Sequence, residues 1–221
     1  SRDAMAAMKA FAQQRRWDRA LGMLADMHKR ALPPDVICYT AAMNTCSKGQ
    51  QWERALHLLV EMQEQSLQPT VISYSAAISA CEKGQEWKSA LDVLAEMQAQ
   101  GLQPNVISYS AAMSACSKCQ QWQRALWMLF EMKESRLEPD VISYNAAITA
   151  CSATEQWQRA LLILMEMQEQ HVQPNMISCN AATSACDKGQ QWEWGLIILA
   201  EMREHRLRPD VISYNAAISA C

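Results

Sequence analysis

Apolar side chains recur along this chain in pairs of helical stripes, and each pair gives way to a near copy after 35 residues. Within residues 141–175, Tyr144, Ala147, Ile148 and Cys151 stand at i, i+3, i+4 and i+7, which lines one face of an α-helix. Ser143, just ahead of that stripe, is placed to cap the helix by accepting from an orphan N–H. Ser73, Ser108, Ser178 and Ser213 repeat the slot, and Cys38 breaks it. A polar turn follows, with glycine in three copies (Gly49, Gly84, Gly189). A second stripe starts at Trp157 and runs through Ala160, Leu161, Leu164 and Met167, with Gln158, Arg159, Glu166 and Glu169 opposite. Residues 172–175 are expected to end it, because proline cannot continue a helix and pushes its predecessor out of the α region. Each unit is thus predicted as two short antiparallel helices, with Ala146 and Ala147 letting neighbours approach closely.

The period is strict. Proline falls at Pro34, Pro69, Pro104, Pro139, Pro174 and Pro209, and tryptophan at Trp17, Trp52, Trp87, Trp122, Trp157 and Trp192. Met27, Met62, Met97, Met132, Met167 and Met202 keep the same spacing, as do Cys46, Cys81, Cys116, Cys151, Cys186 and Cys221. A fixed period of this length means a stacked array, in which each unit buries its apolar face against its neighbours. The predicted fold is all-α: an α-solenoid, a superhelix of stacked antiparallel helical hairpins. Residues 1–221 are read as one array, with a degraded unit over 1–35, complete units at 36–70, 71–105, 106–140, 141–175 and 176–210, and a partial one at 211–221. The Trp and Met columns read as core packing. The chain reads as a section of a longer protein whose targeting segment lies outside it.

Composition narrows the chemistry. Half the residues are hydrophobic and 19% are charged, which supplies a core and argues against disorder. No apolar run approaches the ~20 residues of a membrane span, so a soluble protein without membrane insertion is expected. Six of the nine cysteines are one repeat position copied, and their spacing matches no zinc signature. The C-x-x-C of Cys116 and Cys119 lacks a second ligand pair, and Cys119 stands where other repeats have glycine. No metal and no cofactor are expected, and free buried thiols point to a reducing compartment. His28, His57, His171 and His205 fall at unrelated repeat positions; no nucleophile–base set or Gly-rich phosphate loop occurs. The expectation is a non-enzymatic chain with no small-molecule substrate.

Two helices in 35 residues, Val211-Ile212-Ser213-Tyr214-Asn215 as an opening word and Leu137-Glu138-Pro139-Asp140 as a closing one, resemble the pentatricopeptide repeat family over the whole chain. The 34-residue tetratricopeptide repeat fits less well in period and in its Trp and Gly placement. The resemblance implies an organellar protein, of chloroplast or mitochondrion, that binds single-stranded RNA at one base per repeat. It assigns base choice to repeat positions 5 and 35, here Thr40 with Thr70, Ser75 with Asn105, Ser110 with Asp140, Asn145 with Asn175, and Asn180 with Asp210. It assigns base clamping to position 2, which is Ile37, Ile72, Ile107, Ile142, Ile177 and Ile212. Lys48, Lys83, Lys118 and Lys188 at position 13 are assigned to phosphate, with Ala153 the exception. By the family's code the array reads 5′-purine-A-G-pyrimidine-U-3′. Variation at positions 5 and 35 stays within Thr, Ser, Asn and Asp, as a reading code needs, although these residues also make good caps and turns.

Departures qualify this. Arg2, Ala4 and Met5 replace the clamp, the tyrosine and the reader of the first unit, which is expected to pack as an end unit without reading a base. Cys179, Thr183 and Gly195 replace core residues in 176–210, so that repeat is expected to be the least stable complete one. The formal net charge of −3 is awkward for an RNA binder, though much of the acid lies in second helices as Glu61, Glu96, Glu131, Glu166 and Glu201. The alternative is a scaffold holding protein subunits of an organellar complex, favoured by Trp127, Phe130 and Trp194 added over the repeat pattern.

Overall fold

A computed structural model describes residues 10, 11, 13, 14, 16–30 and 34–220. Arg2, Ala4, Met5 and Cys221 lie outside the described residues. The described residues form twelve helices and no strand: α1 (Trp17–Lys29), α2 (Val36–Lys48), α3 (Trp52–Glu64), α4 (Val71–Gly84), α5 (Trp87–Ala99), α6 (Val106–Lys118), α7 (Trp122–Glu134), α8 (Val141–Ala153), α9 (Trp157–Glu169), α10 (Met176–Lys188), α11 (Trp192–Glu204) and α12 (Val211–Ser219). The helix pairs recur with the 35-residue period, and the fold class is the predicted α-solenoid of hairpins.

By compactness the chain divides into Ser1–Ala115 and Cys116–Cys221. In the first unit α2 packs on its own hairpin partner α3 and on the next first helix, α4; α3 also touches α4. In the second, α8 packs on α9 and α10, α9 on α10, and α10 on α11 and α12. The stripes explain this. Ala42 and Ala77 in one unit, and Ala147 and Ala182 in the other, are fully buried, and their small side chains admit the neighbouring helix. The Met column from Met62 to Met202 is fully buried beneath the second helices.

Tyrosine at position 4 links the two helices of a repeat. Tyr39, Tyr74 and Tyr144 are buried and donate their phenol hydrogens to Glu61, Glu96 and Glu166, each at 3.0 Å. A phenol buried this deeply needs such a partner. Burial first, and then the Glu96 bond, push Tyr74 up to about 12. Three of the glutamates that weighed against an RNA binder are therefore turned to phenols of their own repeats.

Helix ends differ from the sequence expectation. First helices begin at position 1, and their N-cap is position 35 of the preceding repeat, three residues before the expected serine cap. Asp35, Thr70, Asp140, Asn175 and Asp210 hold extended backbone there and accept the N–H three residues on. Second helices stop before the proline is reached. After α3, α5, α7, α9 and α11 comes a left-handed residue (Ser66, Gly101, Arg136, His171 and Arg206), and the next N–H returns to the carbonyl of the Met column, as from Val172 to Met167 at 3.0 Å. The proline lies in the connecting segment.

The glycines in the turn between the two helices of three repeats are not there for a left-handed backbone. The left-handed residues there are Gln50, Gln85, Gln120, Glu155 and Gln190, whereas Gly49 and Gly189 have φ of −87° and −83°. What glycine supplies is room: a Cβ on Gly49, Gly84 or Gly189 would come within 2.4, 2.2 and 2.3 Å of the Trp17, Trp52 and Trp157 rings of the preceding repeats. Those tryptophans are half-buried rather than core, unlike the methionines. The Arg54 guanidinium lies 4.3 Å from the Trp17 ring centre and that of Arg159 4.4 Å from Trp122, so the column is a seam between repeats.

Candidate functional site

In both units the second residue of each first helix is an aliphatic side chain that faces water. Ile37, Ile72, Ile107, Ile142, Ile177 and Ile212 are 51% to 66% exposed, while the residues that follow each of them, at positions 3 and 4, are buried in nearly every repeat. Each isoleucine is the second residue of a first helix, and the reader at position 5 is its i+3 neighbour on the helix surface.

The readers at positions 5 and 35 meet, through a residue that sequence analysis assigned elsewhere. In the first unit, Thr40 Oγ1 lies 2.8 Å from Ser73 Oγ, which lies 3.2 Å from Thr70 Oγ1. Ser75 Oγ lies 2.8 Å from Ser108 Oγ, which lies 3.0 Å from Asn105 Oδ1. In the second unit, Ser178 Oγ donates to Asn145 Oδ1 at 2.5 Å, and Asn145 Nδ2 donates to Asn175 Oδ1 at 3.3 Å. Ser213 Oγ donates to Asn180 Oδ1 at 2.5 Å, and Asn180 Nδ2 to Asp210 Oδ1 at 3.3 Å. Ser110 and Asp140 belong to different units. The Ser110 hydroxyl donates to the Val106 carbonyl at 2.7 Å, and Asp140 accepts from the Ser143 N–H and hydroxyl, both at 2.8 Å.

The position-3 serines are thus fully buried partners of both readers. The spacing that reveals them was available: an N-cap residue with a hydroxyl three residues later, as in Asp210 and Ser213, is the arrangement of a capping box. Thr40, Ser75, Ser110 and Asn145 are themselves buried, and Asn180 is half-buried, so only an edge of each reader is open to a ligand. Asp210 is held below the ordinary carboxylate value, first by the Ser213 N–H and then by the Ser213 hydroxyl and the Asn180 amide. It therefore stays anionic and acceptor-only near neutrality.

The four position-13 lysines are exposed near the ends of first helices. Lys83 pairs with Glu82 at 3.1 Å, and Lys188 Nζ donates to the Ser152 carbonyl at 2.9 Å. Cys116, of the C-x-x-C, is buried, and burial pushes its thiol up to about 12. Among the described residues no group of three or more His, Cys, Asp or Glu is placed to hold a metal ion, and no helix is long and apolar enough to cross a membrane.

A family model described as the pentatricopeptide repeat domain matches residues 22–84, 57–119, 92–154, 127–189 and 162–221, and a PPR repeat model matches 6–32. No curated protein matches the sequence. Among solved structures, the chain is similar to the pentatricopeptide repeat protein PPR10 from maize, at 18% identity and a TM-score of 0.68, covering 98% of this chain and 36% of that one. PPR10 in complex with an 18-nt psaJ RNA element matches at 21% identity and a TM-score of 0.61, over 99% of this chain and 35% of that one. The PPR domain of Arabidopsis thaliana protein-only RNase P 1 in complex with tRNA matches at 16% identity and a TM-score of 0.71, over 80% of this chain and 94% of that domain. The chain spans about a third of the length of PPR10.

Proposed function

Since the chain belongs to the pentatricopeptide repeat family, we propose that it is a non-enzymatic, single-stranded RNA-binding module acting in organellar RNA processing, stability or translation. The observation that carries this reading is the exposed isoleucine at the second position of six first helices, together with the hydrogen-bonded polar pairs at positions 5 and 35. Aliphatic side chains that pack on little of their own chain suit the faces of unstacked bases, and the paired polar groups suit a base edge. RNA in the PPR10 and RNase P 1 complexes supports the same partner. The reading units are 36–70 through 176–210, one base each, in the order 5′-purine-A-G-pyrimidine-U-3′. The lysine column takes phosphate.

The test is fluorescence anisotropy with that RNA, a scrambled oligomer, and Asn180→Ser protein. The expected result is preference for the designed sequence, with the substitution moving the last base from U towards G. Enrichment of unrelated sequences in a binding selection would end the code, and no binding at low salt would end the RNA reading.

One observation favours a second reading, a protein-binding scaffold. In the second unit Trp127 and Phe130 on α7 (both 59% exposed) and Leu162 and Met165 on α9 make apolar ridges at i, i+3 spacing on second helices. Exposed apolar surface of this kind is a mark of partner contact. Loss of all RNA binding with retained folding would make this reading the favourite.

A further inference from the structure

We propose that the buried serine at position 3 of the following repeat is a positioning residue for base choice, its one proton fixing which hydrogen-bonding group each reader turns to a base, an inference that rests on the RNA-binding reading. A serine hydroxyl has one proton to give. Ser178 Oγ accepts from the Asn175 N–H at 3.1 Å, and its nearest acceptor is Asn145 Oδ1 at 2.5 Å. Asn175 Oδ1, at 3.1 Å, is already served by the Ile177 and Ser178 N–H groups and by the Asn145 amide. The serine proton therefore goes to Asn145. That fixes which way the Asn145 amide is turned, occupies one lone pair of its oxygen and one of its hydrogens, and leaves the second N–H as its free donor. Ser213, Asn180 and Asp210 repeat the geometry, at 2.5 Å and 3.3 Å, with the Asp210 carboxylate 2.9 Å from Ser213 Oγ as the competing acceptor.

Hydroxyl readers are wired the other way round. Thr40 and Ser75 give their protons to the Val36 and Val71 carbonyls, at 2.7 and 2.8 Å. The position-3 serine, Ser73 or Ser108, lies 2.8 Å from that oxygen and donates to it; the longer contact of Ser108, to Asn105 Oδ1 at 3.0 Å, is to an oxygen that the Ser108 N–H already serves at 2.9 Å. Such an oxygen has a lone pair left and no proton. Asparagine repeats thus present a donor and hydroxyl repeats an acceptor. Pyrimidines offer a carbonyl oxygen to the first, and adenine and guanine offer edge N–H groups to the second. The serine is a positioning residue: it lies fully buried behind the reader and acts through it.

The same chain supplies a variant that the fold tolerates. Cys38 fills this slot at the start of α2, 3% exposed, and its thiol is a far weaker donor than a hydroxyl. In Ser178→Cys protein the Asn145 amide is free to turn over. The experiment measures affinity for RNAs that differ only at the base read by Asn145 and Asn175, and for RNAs that differ at one other base. The expected result is a loss of roughly three- to ten-fold in pyrimidine-over-purine preference at the first base, with preference at the other base unchanged. Ser178→Thr, which keeps the hydroxyl, should retain the wild-type preference. Ser108→Cys repeats the test where the reader is Ser75, and purine preference should fall there. A merely structural serine would weaken all RNAs together and lower the melting temperature without moving one base.

Full discrimination in folded Ser178→Cys and Ser108→Cys proteins, beside a discriminating wild type, would overturn the role of the serine alone. A wild type without any base preference would overturn the reading beneath it, and this proposal with it.

Discussion

Asp35 fixes the first turn of α2 by accepting from the Cys38 N–H at 2.8 Å. Hydrogen bonds from the Cys38 side chain and then its N–H hold the carboxyl below the ordinary value of 3.8. A carboxylate with a lowered folded-state value adds stability that is present above the unfolded value. That stability is lost as pH falls through the lowered one. The carboxylate is half-buried at the helix end, and solvent screening keeps the effect modest. Chemical denaturation at pH 5 and near pH 2.5 checks it: wild type should lose more stability on acidification than Asp35→Asn, whose cap does not titrate. Equal losses would mean that the cap contributes no pH dependence. Position 35 is thus a cap in every repeat as well as a candidate reader, and the two roles share the same oxygen atoms.

At the scale of the helix pair, α10 and α11 differ from the rest. Cys179 stands where Tyr39, Tyr74, Tyr109 and Tyr144 stand elsewhere, so Glu201 has no phenol from its own repeat. Gly195 takes the place of Ala20, Ala55, Ala90, Ala125 and Ala160, each fully buried. A Cβ added there would meet Ala217 at 3.7 and 3.8 Å and Thr183 at 3.9 Å, ordinary packing distances. Gly195→Ala should therefore stabilise by about 1 kcal/mol, from helix propensity and reduced unfolded-state freedom. Urea denaturation measures the total, and slower hydrogen exchange confined to α10, α11 and α12 would place it. Destabilisation would mean that the backbone there has no room for a methyl group. The stripes made this slot legible, because periodicity states which face a residue occupies. It does not state where a helix ends. Periodicity therefore points to Ser143 as the cap where Asp140 holds it, and to residues 172–175 as the stop where His171 already turns the chain. The tryptophans were misplaced for a related reason: a stripe of apolar residues does not distinguish core from the seam between repeats. That the isoleucines face water came from family likeness, since periodicity alone would bury them.

For the molecule as a whole, the formal net charge of −3 is a poor guide to the face that would meet RNA. Glu61, Glu96 and Glu166 accept from buried phenols, while Lys48, Lys83, Lys118 and Lys188 are exposed at first-helix ends. What matters for a polyanion is the local field rather than the sum. If the four lysines each neutralise one phosphate, log K against log salt for a single strand should have a slope of about −3. Lys48→Ala should then reduce that slope by roughly 0.7 while leaving base preference intact, since phosphate contacts position and do not specify. Lys83 and Lys188 must first leave Glu82 and the Ser152 carbonyl, so their share is the smaller one. A slope near zero with binding intact would remove the lysine column from the phosphates. It would leave those side chains as charges at helix C-termini, the role Lys188 already fills toward the last turn of α8.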